Sequence, residues 1–210
     1  MLKNYIRLGT GVIKQVKLNK KITYDKQYII DRYDSYGALG PQMAYLRLGY
    51  ILGTLKQKPT TILDVGYGNG DFLRACLNSI KHCYGNDVSG YDLPEGVNFV
   101  DDILAGAYDV ITFFDVLEHF EDINFVSKLN AKFIVVSVPW CHYKSDKWFE
   151  GWKHRREDEH LYHFSAEALI SFFERSGFRV LNYCDIEDCI RKGHTELPNI
   201  LTATFQKVGL

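Results

Sequence analysis

The chain has 210 residues, of which 46% are hydrophobic and 14% aromatic, so it contains enough apolar material for a well-buried core in one domain. Its 25 basic and 26 acidic side chains give a formal net charge of −1, which disfavours the basic surface that binding to nucleic acid or to an anionic membrane requires. The five cysteines form no C-x-x-C pair, so we expect a reduced protein. The N-terminus lacks the apolar core of a signal peptide and no apolar run could span a bilayer, so we expect a cytoplasmic protein without membrane contact.

Residues 1–58 are interpreted as an extension that precedes the main domain. Their first part is polar and weakly periodic, with tyrosines at positions Tyr24, Tyr28, Tyr33 and Tyr36. Between Pro41 and Pro59 apolar residues recur at helical spacing, which predicts a helix over residues 42–57. We interpret the Tyr-rich stretch as a lid over the mouth of a site. The alternative is a loosely attached arm or a contact with a second copy of the chain, as in a homodimer.

Short apolar strands alternate with helices over residues 59–210. Strands are predicted for "TTILDV", "HCYGND", "VNFV", "YDVITFFDV" and "KFIVVSVP", and helices for "GDFLRACLNSI", "LEHFEDINFVSKL" and "AEALISFFERSG". "YDVITFFDV" and "KFIVVSVP" are almost wholly apolar, which is typical of central strands covered on both faces. "FRVLNYCDI" and "NILTATFQKV" suit an antiparallel edge. The sequence therefore predicts an α/β fold with a doubly wound, mostly parallel sheet.

The segment "LDVGYGNGDFL" places three glycines, Gly66, Gly68 and Gly70, between a predicted strand and a predicted helix. Residues without a Cβ are needed where the backbone lies close to a ligand. The dinucleotide pattern G-x-G-x-x-G requires a third glycine where this chain has Asp71, whose charge would repel a pyrophosphate. Asp64, ahead of the first glycine, suits a ligand that carries a positive charge. These residues therefore disfavour NAD.

The same segment resembles the first motif of class I S-adenosylmethionine-dependent methyltransferases. Three further segments resemble that family in the same order, namely "VITFFDVLEHFEDI" with its D-x-x-E-H string, "IVVSVP" and "LYHFSAEALISFFERSGFRVLNY". The resemblance implies a Rossmann-like sheet of seven strands whose last strand inserts antiparallel, with S-adenosylmethionine as the cofactor. Within the family the chain is similar to the small-molecule branch, which acts on sugars, quinones and other metabolites, and its N-terminal extension resembles those of glycan and nucleotide-sugar methyltransferases.

The resemblance also implies where the cofactor lies. The methionine end of the cofactor is expected beside the glycine loop. Its ribose hydroxyls are expected to bind an acidic residue that ends the second strand, and its adenine is expected beside the residues that follow the third strand. Asp87 and Asp92 are both candidates for the ribose ligand, and strand length favours Asp87. The implied cofactor-binding residues are Asp64, Gly66, Tyr67, Gly68, Asn69, Gly70, Asp87, Asp101, Asp102, Ile103 and Phe114.

The acceptor side is expected after the fourth and fifth strands. His119 is the candidate base that takes a proton from a hydroxyl or amine, although it could equally hold the loop through a backbone carbonyl. His163 is the alternative base. The loop "PWCHYKSDKWFEGWKHRRED" interleaves aromatic with basic residues that can stack a sugar or base and hold a phosphate, or can simply pack as a surface loop. The substrate-binding candidates are Asp115, His119, Trp140, His142, Trp152 and His160.

No metal site is expected from the histidine spacing. His160 and His163 are too close for the i, i+4 pair of a zincin helix, and no cysteine completes a tetrahedral set. We therefore predict metal-free methyl transfer from S-adenosylmethionine to a small molecule, with O-methylation of a sugar-like acceptor as the most specific version. Two alternatives stay open: a non-catalytic cofactor-binding or scaffold protein of the same fold, and a methyltransferase that acts on protein or nucleic acid.

Overall fold

The structure, a computed structural model, describes residues 3–34, 37, 39–191 and 196–209, without the side chains of residues 32–34; Tyr36 of the Tyr-rich stretch lies outside this set. The strands in the described residues are β1 (Tyr5–Arg7), β2 (Ile13–Gln15), β3 (Thr61–Val65), β4 (His82–Asn86), β5 (Val97–Phe99), β6 (Tyr108–Phe114), β7 (Ala131–Pro139), β8 (Tyr162–His163), β9 (Phe178–Cys184) and β10 (Ile200–Lys207). The α-helices are α1 (Lys26–Asp34), α2 (Leu39–Leu55), α3 (Asp71–Leu77), α4 (Asp146–Gly151) and α5 (Ala166–Arg175).

Seven of the described strands form the main sheet, in the order β5-β4-β3-β6-β7-β10-β9. Strand β10 runs antiparallel between β7 and β9, and the other pairs in this sheet are parallel. This confirms the Rossmann-like α/β sheet with an antiparallel last strand. One detail differs from the predicted antiparallel edge. Strand β9, at that edge, runs in the same direction as the parallel strands, because two antiparallel pairings restore the original direction.

The central strands β6 and β7 are covered on both faces, as their continuous apolar sequence predicts. On one face Ile111 and Ile134 belong to the cluster that includes α5, and on the other Val110 and Val135 pack with side chains of α2 and α3. Ser165 caps α5 by accepting a hydrogen bond from the backbone N–H of Ala168. Helices on both faces leave the carboxyl ends of the parallel strands open at one edge of the sheet.

The N-terminal extension contains the predicted helix and two strands that were not predicted. Helix α2 begins at Leu39 and ends at Leu55, close to the predicted bounds. Strands β1 and β2 pair with β8 in a small antiparallel sheet, so the start of the chain is joined to residues 162–163. None of the helices in the described part of the chain combines the length and the hydrophobicity that a membrane span requires.

The predicted helix over "LEHFEDINFVSKL" is wrong. Residues 117–129 form two short 3₁₀ turns, Leu117–His119 and Asn124–Lys128, with extended backbone at Phe120 between them. The apolar residues Leu117, Phe120, Ile123, Val126 and Leu129 recur every three positions, which matches the 3₁₀ repeat and not the 3.6-residue repeat of an α-helix. This irregular segment begins directly at the end of β6, where it brings Glu118 and His119 to the edge of the sheet.

Candidate cofactor and acceptor site

A cavity of about 700 Å³ lies at the carboxyl ends of β3, β4 and β6. One wall is the glycine loop between β3 and α3. A second wall is the N-terminal extension, which contributes Tyr24, Tyr28 and Ile29 from the arm and Arg47 from α2. A third wall is the turn after β6 together with residues 153–160. The glycine loop, the Tyr-rich arm and the predicted acceptor side therefore enclose one space.

The glycine loop adopts a backbone that requires glycine. Gly66, Gly68 and Gly70 have φ values of 74°, 57° and 80°, in the left-handed region that side chains disfavour. A Cβ on Gly66 would lie 2.3 Å from Cγ2 of Val116, which is closer than atoms can approach. A Cβ on Gly70 would lie 2.8 Å from the ring of Pro94. Gly70 is not among the residues that line the cavity, so it shapes the turn without facing the cavity.

Asp64 is a buried carboxyl group on the cavity wall. It is 3% exposed, and its Oδ1 accepts a hydrogen bond from Oγ1 of Thr112 at 2.6 Å. Burial raises the pKa of Asp64 to about 7, against the opposing effects of the Thr112 hydrogen bond and of Arg47. A bound cation would stabilise the ionised form, so the position suits a positively charged ligand group.

The structure brings Asp87, and not Asp92, to the cavity. Asp87 Oδ2 accepts a hydrogen bond from the backbone N–H of Gly68 at 2.9 Å, and Oδ1 accepts one from Ser89 N at 2.7 Å. The Asp92 side chain is 84% exposed and pairs with Lys26 at 2.8 Å. Asp87 thus lies between β4 and the glycine loop, where the resemblance expects the ribose ligand.

The residues expected beside the adenine do not line this cavity. The exposed Asp102 accepts a hydrogen bond from Leu104 N and so closes a local turn, Asp101 is also exposed, and Ile103 packs against the core. The following predicted cofactor residues do line the cavity: Asp64, Gly66, Tyr67, Gly68, Asn69, Asp87 and Phe114.

Tyr67, in the glycine loop, leaves the cavity open. Its hydroxyl donates to the backbone carbonyl of Tyr91 at 2.5 Å, and its side chain is 5% exposed. Its ring lies beside Gly85, where a Cβ would come within 2.8 Å of Tyr67 Cδ1. The glycine in β4 therefore provides the room that the tyrosine ring occupies.

Arg47, which the sequence analysis did not select, is at the centre of a buried ion cluster. Its Nε and Nη2 donate to the two carboxylate oxygens of Glu187 at 2.8 and 3.0 Å, and Nη2 also reaches Asp115 Oδ2 at 3.0 Å. Arg191 pairs with the same two carboxylates. Although burial alone would raise it, Arg191 and Arg47 hold the pKa of Asp115 below its ordinary range. Asp115 thus lines the cavity as part of this cluster, with its charge already balanced.

His119 and His160 meet on the acceptor side of the cavity. Their ring centres are 4.7 Å apart at nearly a right angle. Nδ1 of His119 lies 2.9 Å from the hydroxyl of Tyr24, which joins the N-terminal arm to the turn after β6. Nδ1 of His160 donates to the backbone carbonyl of His154 at 2.8 Å, and burial lowers the pKa of His160 to about 2. The Nδ1 atoms of both rings are therefore held by hydrogen bonds within the protein.

Four predicted acceptor residues lie outside the cavity lining. Trp140 stacks on His142, whose Nε2 bonds the carbonyl of Pro198, and Trp152 stacks on Trp148. His163, the alternative base, is 2% exposed among aromatic rings, and burial lowers its pKa to about 3. Lys153, His154 and Arg156 line the cavity instead. The predicted loop contains the short helix α4. Trp148 and Trp152 pack in a separate cluster around Phe149, and Trp140 packs against the main core.

Comparisons with known proteins agree with this geometry. A family profile described as a methyltransferase domain matches residues 42–183, more than half of the chain. The structure is similar to 1,6-didemethyltoxoflavin-N1-methyltransferase of Burkholderia thailandensis, solved with 1,6-didemethyltoxoflavin and S-adenosylhomocysteine bound, with a TM-score of 0.58 and 13% identity over 97% of this chain and 99% of that one. No curated protein matches the sequence significantly.

Two further solved structures share the fold. A magnesium protoporphyrin IX methyltransferase from Synechocystis PCC 6803, with bound S-adenosylhomocysteine, has a TM-score of 0.55 and 16% identity over 81% of this chain and 84% of that one. An S-adenosylmethionine-dependent methyltransferase from Clostridium acetobutylicum ATCC 824 has a TM-score of 0.58 and 10% identity over 87% of this chain and 99% of that one. At these identities the likeness is one of fold.

Proposed function

The chain belongs to the methyltransferase-domain family and is an S-adenosylmethionine-dependent methyltransferase, and from this premise we propose that it methylates a hydroxyl oxygen of a small, sugar-like acceptor. The observation that supports this acceptor class is the shared cavity. The glycine loop, the Tyr-rich arm and the His119–His160 side enclose it together. Its volume of about 700 Å³ is within the usual range for small-molecule sites.

The bound cofactor supplies an electrophilic methyl group on a sulfonium, and the chain supplies position and a dry cavity. In the proposal, Asp64 faces the ammonium group of the cofactor, Asp87 faces its ribose, and the acceptor lies against the Tyr24–His119 contact. Hydroxyl and basic groups of Tyr24, Tyr28 and Arg156 line that side of the cavity. Such groups match the several hydroxyls of a sugar-like acceptor.

The acceptor class is tested by incubating the purified protein and S-adenosylmethionine with hydroxylated small molecules (glycosides, nucleotide sugars and quinols) and, separately, with peptides. We expect S-adenosylhomocysteine to form, together with a product 14 mass units heavier, with at least one hydroxylated acceptor. Asp64→Asn should reduce this turnover. Methylation of peptides alone would contradict the proposed acceptor.

Cofactor binding should depend on pH through Asp64. In the protein without cofactor the Asp64 carboxyl has a pKa of about 7, so it is largely protonated at pH 6 and cannot pair with an ammonium group. We expect the affinity for S-adenosylhomocysteine, measured by calorimetry, to fall about eightfold between pH 7.5 and pH 6. The affinity falls as the pH falls because only the ionised form of Asp64 pairs with the ammonium group.

Asp64→Asn is the matched control for this pH dependence. The amide keeps the size of the side chain and its contact with Thr112 but carries no charge at either pH. We expect weaker binding at pH 7.5 and almost no change between the two pH values. A wild-type affinity that is equally flat would show that Asp64 does not face the ammonium group.

A further inference from the structure

We propose that Glu118, His119 and His160 bind a divalent transition-metal cation on the acceptor side of the cavity. The ligand-capable atoms of these three side chains all lie within 4.8 Å of one another. A cation with bonds of about 2.1 Å holds its ligands about 3 to 4 Å apart, so a small contraction of the three side chains completes the site. The site depends on these contacts alone, and only its role toward the acceptor rests on the proposed function.

Glu118 is the observation that calls for a cation. Glu118 is 1% exposed, and neither of its carboxylate oxygens has a hydrogen-bond partner among the described residues. A buried carboxyl group without a partner is costly, and an ionised one more so. Asp115 and Glu159 are nearby and add negative charge, and the nearby Arg191 already pairs with Asp115 and Glu187. A cation would supply the missing partner.

The two histidines have the outer-shell contacts that orient metal ligands. Nδ1 of His160 donates to the backbone carbonyl of His154, which fixes the tautomer whose Nε2 carries the lone pair. Nδ1 of His119 bonds the Tyr24 hydroxyl. The backbone N–H of Leu161 donates to the carbonyl of Glu118 at 2.7 Å and so ties the turn after β6 to the loop that carries His160.

The types of the three ligands indicate which class of cation the site would bind. Two imidazoles and one carboxylate suit Zn²⁺, Co²⁺, Fe²⁺ or Mn²⁺ better than Ca²⁺ or Mg²⁺. Three protein ligands leave coordination positions open, and His119 and His160 line the cavity. In the proposed reaction an acceptor hydroxyl would take one of these positions, and the cation would lower the pKa of that hydroxyl so that its proton passes to solvent water. The hydroxyl oxygen would then bond to the methyl carbon as the bond between that carbon and the sulfonium sulfur breaks, which leaves neutral S-adenosylhomocysteine. His119 is then a ligand and not the base that the sequence suggested.

The histidine spacing in the sequence pairs His160 with His163, three residues further on, and so does not indicate this site. The structure places His163 among Tyr5, Phe149 and Trp152 instead. Asp115, the first residue of the D-x-x-E-H string, is held by Arg47 and Arg191 and is not a candidate ligand. The cation site is therefore formed by residues 118 and 119 with a partner 41 positions away from His119.

The test uses protein without a polyhistidine tag, treated with a chelator, and titrated with Co²⁺ by visible absorption and with Zn²⁺ by calorimetry. We expect one equivalent of each metal to bind, with ligand-field bands for Co²⁺. Glu118→Gln and His160→Gln should each weaken binding by more than about 100-fold, since even outer-shell changes cost 10- to 100-fold. His82→Gln, which removes an exposed histidine at the start of β4, should leave binding unchanged.

Binding of S-adenosylhomocysteine is measured in the same samples and shows that each variant is folded. No binding of Co²⁺ or Zn²⁺, or equal binding by the wild type and both variants, would overturn the site. If the metals bind and the cofactor does not, the proposed function fails while the site stands. If the cofactor binds and the metals do not, only the metal site fails.

Discussion

Arg47→Met is expected to lower the free energy of unfolding by about 3 to 5 kcal/mol, because it leaves buried carboxylates short of a cation. The Glu187 side chain is 0% exposed and receives two hydrogen bonds from Arg47. The Arg47 guanidinium lies over the Phe114 ring, with Cζ 4.3 Å from the ring centre, and methionine keeps an apolar side chain at this position, so the loss measures the ion pairs together with this cation–π contact. Equilibrium unfolding in urea gives the change in free energy.

Two further variants separate this effect from a general loss of an ion pair. Lys132→Ala removes the ion pair of an exposed lysine with Asp109 and should cost less than about 1 kcal/mol. Glu187→Gln, added to Arg47→Met, removes the uncompensated charge and should restore part of the stability. An Arg47→Met protein within about 1 kcal/mol of the wild type would show that the cluster contributes little to the fold.

The main sheet could be predicted from local sequence because each strand carries its own signal. Continuous apolar runs such as residues 108–114 and 131–139 identify buried parallel strands, and Gly66 with its neighbours marks the turn at the end of β3. The cavity at the strand ends follows from that topology. Asp64 and Asp87 reach the cavity for the same reason, since each lies at the end of a strand or just beyond it.

The residues that were missed depend on contacts between distant parts of the chain. Arg47 meets Asp115 and Glu187, which lie 68 and 140 positions away, and nothing in the spacing of these charges indicates the pairing. Strands β1 and β2 have three residues each, too few for a periodic pattern, and β2 pairs with β8 far along the chain. Trp140 and Trp152 are predicted at the acceptor but lie outside the cavity lining, because composition alone does not show which face of a loop packs against the protein.

Gly66→Ala is expected to destabilise the protein by about 2 to 5 kcal/mol and to abolish measurable cofactor binding. A φ of 74° costs a side-chain-bearing residue about 1 to 2 kcal/mol, and the contact of 2.3 Å with Val116 adds an overpacking cost of about 1 to 3 kcal/mol. Relief of the contact moves the glycine loop or the turn after β6, and both line the cavity. Urea unfolding and calorimetry with S-adenosylhomocysteine measure the two effects.

The double variant Gly66→Ala with Val116→Ala separates the two costs. It removes the contact with Cγ2 of Val116 but keeps the strained φ, so about 1 to 3 kcal/mol should return relative to the sum of the single changes. Gly49→Ala, at an exposed position inside α2 with no atom within 4 Å of the added Cβ, should instead stabilise the protein by about 0.5 to 1 kcal/mol. If Gly66→Ala resembled Gly49→Ala, the loop would not hold the conformation that places its backbone against the cofactor. If the double variant regained stability but not binding, the positive φ and not the contact with Val116 would be what shapes the cofactor site.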